Sequence, residues 1–236
     1  MAKVFARRNR RSWMTTLYHY WLSQGSRFIR LLLAEKGIGF DLALTKPWAP
    51  GESFLSLNPS GWPPVLAPGG GVPALADARA IAEYIDERHP QPVMLGQNAV
   101  ARAEVRRLVG WFDYKFAVEV SDTLLFERHY RGMIRAGAPD PMAIRTARTN
   151  IRFHLDYIGH LSERRRWLAG DEMSLADLMA AAHLSVVDYL GEAPWDEFQE
   201  ARQWYSRMKS RPSFRPLLAD RIAGLAPPAH YDDLDF

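Results

Sequence analysis

Residues 15–44, TTLYHYWLSQGSRFIRLLLAEKGIGFDLAL, decide the architecture. Residues 15–20 combine β-branched, aliphatic and aromatic side chains and read as a short strand. After Ser23-Gln24-Gly25, residues 26–36 place Phe28, Ile29, Leu31, Leu32 and Leu33 on a broad helical face, and Gly37 follows as a C-terminal cap. Phe40, Leu42 and Leu44 then alternate with Asp41 and Ala43, which gives a second strand. A strand–helix–strand crossover is almost always right-handed, so the two strands run parallel.

Downstream, residues 46–61 are rich in Pro, Gly, Ser and Asn, carry Trp48 and read as loop, with a turn of helix at 53–57. Residues 65–67 and 72–76 flank Pro68-Gly69-Gly70-Gly71, which suits an antiparallel hairpin. Asp77 is placed to cap a helix over 79–88 with Ile81, Ala82 and Ile85 as its apolar stripe, and Pro90-Gln91-Pro92 ends the unit. Everything afterwards reads as helix: 99–136 as one long periodic segment, then 143–163, 175–190, 196–211 and 213–222. Ser174-Leu175-Ala176-Asp177 is a capping box, in which the Ser hydroxyl and the Asp carboxylate satisfy two otherwise unpaired N–H groups.

The 236 residues are 47% hydrophobic and contain no cysteine, which excludes a disulfide scaffold, a thiolate zinc site, an iron–sulfur cluster and a cysteine nucleophile. A net charge of +3 conceals a division: residues 1–12 contribute +5, residues 229–236 contribute −3, and the body carries +1. A uniformly basic nucleic-acid binder lacks such a division, so no nucleic-acid partner is expected. The Arg-rich leader fits either a disordered arm or a targeting segment. No apolar run is long enough for a membrane span. His154 and His160 lie six apart, on different helix faces, so no metal site is expected. No Gly-rich loop followed by Lys offers a phosphate cradle.

Leu17-Tyr18-His19-Tyr20 leading through Ser23 to helix 26–36, Asn58-Pro59-Ser60-Gly61 before Pro64-Val65-Leu66, Asp77-Ala78-Arg79 and the capping box occur in the order and spacing of one family. In these features the sequence resembles the glutathione S-transferase superfamily. The resemblance covers residues 15–215. It implies an α/β plus all-α fold: a thioredoxin-like N-terminal domain at 14–89, a linker at 90–98 and an all-helical domain at 99–225, between a basic leader at 1–13 and an acidic-aromatic tail at 226–236. It also implies a homodimer and a glutathione site in the first domain.

Three positions of that implied site stand out. Ser23 matches the residue that activates the glutathione thiol, and it is equally suited to cap the following helix. Pro64 matches the family's cis-proline, and the residue before it, whose N–H and C=O hold the cysteinyl part of glutathione, is Pro63. Proline has no N–H. A neutral hydrogen bond contributes roughly 0.5–1.5 kcal/mol and an unpaired buried carbonyl costs about 1–3 kcal/mol, so this change alone weakens binding about tenfold or more. At the third position, where an acidic-Ser pair holds the γ-glutamyl carboxylate, the chain has Asp77-Ala78, and Ala78 offers no hydroxyl. Absent or weak glutathione binding is therefore expected, with no cofactor and no catalysis. The alternative is a glutathione-dependent transferase or isomerase using Ser23.

The tail 226–236 interleaves Asp232, Asp233 and Asp235 with Tyr231, Leu234 and Phe236, and reads as either a solvated end or a docking motif. Together with Trp48 and the Trp-Pro-Pro run at 62–64, it makes the chain similar to a branch of this superfamily that serves in bacterial cell division. That similarity implies a cytoplasmic homodimer at the division site that binds FtsZ polymers and modulates their curvature or stability. Its implied partner contacts are Trp48, Asp232, Asp233, Leu234, Asp235 and Phe236.

Overall fold

The structure, a computed structural model, describes residues 15–234. The leader at 1–13 and the two tail residues Asp235 and Phe236 lie outside the described residues. The chain divides into two compact units, Met1–Pro92 and Val93–Phe236.

The first unit holds β1 (Thr16–His19), α1 (Gln24–Glu35), β2 (Asp41–Leu44), α2 (Glu52–Leu55), β3 (Val65–Ala67), β4 (Leu75–Ala76) and α3 (Ala78–Arg88). Its sheet runs in the order β2-β1-β3-β4, with β1 parallel to β2 and antiparallel to β3. The parallel βαβ opening is therefore present. α1 begins two residues earlier than its apolar pattern, because Ser23 is its N-cap and accepts from Ser26 N. Phe28, Ile29, Leu31, Leu32 and Leu33 are all buried, as the helical face requires. β4 is shorter than the expected 72–76. Val72 N closes a turn onto Gly69 O, and Pro73 has no N–H to give to a ladder.

The second unit opens with α4 (Ala99–Gly110), which continues through a π-helical stretch (Trp111–Ser121), α5 (Asp122–Leu125), a second π-helical stretch (Phe126–Tyr130) and α6 (Arg131–Met133). The buried residues Phe112, Phe116, Val120 and Leu124 recur every four positions, a wider period than the 3.6 of an α-helix, and π-winding keeps them on one face. α7 (Pro141–Arg164) has Asp140 as N-cap and proline at its first position. α8 (Leu175–Tyr189) is buried along its whole length. It starts at the capping box, where Asp177 also accepts from Leu168 N at 2.9 Å and Trp204 Nε1 at 3.1 Å.

A short 3-10 turn (Trp195–Glu197) leads into α9 (Gln199–Lys209), and α10 is only Arg215–Leu218. The expected helix over 213–222 stops early because the chain reverses at Gly224, φ +78°, with Ile222 bridging Leu225. Trp204 is core, whereas Trp111 and Trp167 are only half-buried.

Residues 229–232 are not a detached tail. They form a 3-10 turn, Ala229–Asp232, with Tyr231 fully buried edge-on to Tyr189 at 5.1 Å and its hydroxyl donating to Leu217 O at 3.2 Å. Asp188 holds the same turn from beneath: His230 Nε2 lies 3.1 Å from its carboxylate, and the buried Lys209 ammonium lies 3.7 Å away. Residues 229–232 thus belong to the domain, and Asp233 N still donates to His230 O at 3.1 Å.

His183, buried on α8 with Nδ1 2.8 Å from Ser121 Oγ, is held by desolvation at a pKa of about 3. The folded-state value lies below the ordinary 6.5, so the neutral ring favours the fold. Its stabilisation is complete above pH 6.5 and is lost as pH falls toward 3, at up to about 1.4 kcal/mol per pH unit. In urea titrations across that range, His183→Leu is expected to flatten the pH dependence relative to the unaltered chain.

Candidate functional site

The candidate site lies in the first unit, where the first turn of α1 meets the loop before β3 and the start of α3. Tyr20 N donates to Ser26 Oγ at 3.3 Å, Ser23 N to Tyr20 O at 3.1 Å and Arg27 N to Ser23 O at 2.9 Å, so the turn is tied to itself from both ends. Ser23 is buried. Its Oγ accepts from Ser26 N at 3.2 Å and donates to Pro63 O at 3.4 Å. The hydroxyl that would activate a thiol therefore serves as a helix cap and directs its proton at a main-chain carbonyl. Both readings of Ser23 concern one atom, and the cap is the arrangement present.

The Pro63-Pro64 peptide bond is cis. Gly25 packs against it closely: a Cβ at position 25 would lie 3.0 Å from Pro64 Cδ and 3.1 Å from Ala78 Cβ. Ser23, Gly25, Pro63, Pro64 and Ala78 are thus brought together. At the third corner, Asp77 has φ +72° and caps α3, with its Oδ1 accepting from Arg79 N at 2.9 Å and Ala80 N at 3.1 Å. Two of the first N–H groups of α3, those of Arg79 and Ala80, are thus occupied by the chain's own carboxylate. Ala78 is buried and supplies only a methyl group.

At the end of β1, His19 is buried edge-on to Trp21 at 4.4 Å, and neither ring nitrogen has a hydrogen-bond partner among the described residues. Burial first, then Arg30 and Arg27, lowers its pKa to about 3. Arg27 Nε donates to Trp21 O at 2.6 Å, and Arg30 lies over the Trp21 ring at 5.3 Å. These groups fix the loop that carries Ser23 and keep the histidine neutral.

The implied partner contacts fall in both units. Trp48 is half-buried and edge-on to Tyr20 at 5.1 Å, so it packs back toward the sheet. Trp62, legible in the sequence only as part of the Trp-Pro-Pro run, is 54% exposed immediately before the cis-proline pair. Asp232 pairs with Arg221; Asp233 is exposed and Leu234 half-buried, while Asp235 and Phe236 are outside the described residues. Among the described residues no group of three His, Cys, Asp or Glu side chains could hold a metal ion, and no helix is long and apolar enough to cross a membrane.

Family models for the glutathione S-transferase N-terminal domain and C-terminal domain match residues 23–88 and 143–212. The chain belongs to the glutathione S-transferase superfamily. Within it, the sequence is 51% identical to FtsZ-localized protein A of Caulobacter vibrioides over 94% of this chain and 98% of that protein. The structure matches FzlA from C. crescentus with a TM-score of 0.91 at 50% identity, over 94% of this chain and 100% of that one. It matches a glutathione S-transferase from Rhodospirillum rubrum F11 with a TM-score of 0.92 at 48% identity, over the same shares. The implied two-part fold is thereby established.

Measured against the glutathione site that the superfamily implies, two binding groups are missing and a third is committed elsewhere. Restoring them tests this directly. The double variant Pro63→Val, Ala78→Ser is expected to bind glutathione at least tenfold more tightly than the unaltered chain by calorimetry at millimolar ligand. Clear saturable binding by the unaltered chain would refute the account.

Proposed function

We propose that this protein binds FtsZ polymers and modulates their curvature or stability in the cytoplasm at the bacterial division site, without catalysing a glutathione reaction. The likeness to FtsZ-localized protein A over nearly the whole length of both chains carries this reading. The committed Ser23 hydroxyl, the missing Pro63 N–H and the alanine at 78 support its non-enzymatic part. Its partner contacts are Trp48 and Trp62 in the first unit and, as a separate contact, Asp233 and Leu234 in the second. A large aromatic beside a rigid proline pair is suited to anchor an interface at little entropic cost.

Co-sedimentation with GTP-assembled FtsZ tests the proposal. The protein is expected to pellet with the polymer and change filament shape, and an unaltered assembly at saturating protein would overturn it. Trp62→Ala should weaken pelleting about tenfold or more. Truncation after Asp232 should weaken it while sparing Tyr231 and the fold.

We also propose that the protein is a homodimer. Tyr114 and Phe153 are 73% and 57% exposed beside Val118, on a surface built around Trp111. His154 Nδ1 accepts from Trp111 Nε1 at 3.1 Å, its Nε2 lies 2.9 Å from Glu119, and the Lys115 ammonium lies 5.7 Å over the Trp111 ring. Exposed aromatic and apolar side chains beside a hydrogen-bonded Trp111–His154 pair are the kind of feature a self-association surface uses. Light scattering is expected to give twice the chain mass, falling to one for Tyr114→Glu combined with Phe153→Glu. A monomeric unaltered chain would refute it.

A further inference from the structure

β2 forms one edge of the four-stranded sheet. Asp41 N donates to Thr15 O at 2.9 Å and Thr45 N to His19 O at 2.8 Å, so the odd-numbered residues of this strand face β1. In a parallel ladder the N–H and C=O of one residue point the same way, and Leu42 and Leu44 therefore turn theirs outward. Among the described residues nothing hydrogen-bonds these four groups. The side chains of Leu42 and Leu44 share one face of the sheet and are 40% and 53% exposed. Natural edges are usually blunted by lysine, proline, a bulge or a covering element. The four residues of β2, Asp-Leu-Ala-Leu, include no lysine or proline.

We propose that the outer edge of β2 is a strand-addition site for an extended segment of the protein's polymer partner, with apolar side chains at alternate positions. The proposal rests on the FtsZ reading above and specifies how that partner is held. Two features of the edge select such an occupant. The strand runs through Thr45-Lys46-Pro47 directly into Trp48, so an added strand continues onto the aromatic contact. Asp41 and Lys46, both exposed, bracket the edge with opposite charges and set the direction of a segment carrying an acid at the Lys46 end. Main-chain pairing at Leu42 and Leu44 gives the affinity, and the two leucines select the alternating apolar residues that cover them.

Hydrogen exchange on the unaltered full chain, free and pelleted with GTP-assembled FtsZ, tests the assignment. The Leu42 and Leu44 amides should exchange rapidly in the free protein and at least tenfold more slowly in the pellet. Leu44→Pro deletes an outward donor while keeping every bond to β1, so it should weaken pelleting about tenfold with unchanged circular dichroism, and Leu44→Thr, which keeps the donor, should weaken it less. If Leu44→Pro fails to fold, the exchange measurement on the unaltered chain decides. Pelleting without slowed exchange at 42 and 44 overturns the strand-addition site alone. No pelleting at all overturns the FtsZ reading together with it. Slowing that tracks protein concentration without FtsZ makes a second copy the occupant and overturns the partner assignment.

Discussion

The second unit hangs on a fully buried helix with a buried carboxylate near each end. Asp177 at the start of α8 accepts from Leu168 N, Ser174 N and Trp204 Nε1. Asp188 near its end accepts from Trp195 Nε1 and Tyr205 OH and faces the ammonium of Lys209 and the ring of His230. Burial pushes the Asp177 carboxyl's pKa up while its donors pull it down. An anion out of water is tolerable only with such a donor set, so each carboxylate dictates where its donors lie. Through Asp177, α8 fixes the preceding loop and α9. Through Asp188, it fixes the 3-10 turn at Ala229–Asp232, and hence the place of Asp233 beside it.

The first unit keeps the frame of the glutathione site that its superfamily implies. The turn at 20–27, the cis proline pair and the cap of α3 are all in place, and Gly25 is packed as tightly as its missing side chain allows. What has changed is which groups remain available. Proline at 63 removes a donor by covalent structure, and Ser23 and Asp77 satisfy their own helices. Trp48, Trp62 and the β2 edge belong to the same unit as this frame, and the proposed partner contacts draw on them.

Much of this was legible in the sequence for particular reasons. The βαβ opening followed from a period of two giving way to 3.6 and back. The cap at Asp77 and the box at Ser174 and Asp177 followed from local hydrogen bonding within four residues. The π-winding of 111–130 was not legible, because a period of four in Phe112, Phe116, Val120 and Leu124 differs little from that of an ordinary helix. β4 is shorter than its strand-like run suggests because Pro73 stands inside it.

The sequence by itself determined the order of elements and the superfamily, because these rest on local periodicity, caps and covalent facts such as a proline without an N–H. It determined equally that position 78 offers no hydroxyl. Only the tertiary structure decided that Ser23 points its proton at Pro63, that Tyr231 is core while Asp233 is surface, and that Leu42 and Leu44 form an edge left uncovered among the described residues. Each of these depends on a contact or its absence between residues far apart in the chain, such as Ser23 with Pro63 or Lys209 with His230. Long-range packing sets which groups are used up, and the groups left over are the ones that can meet a partner.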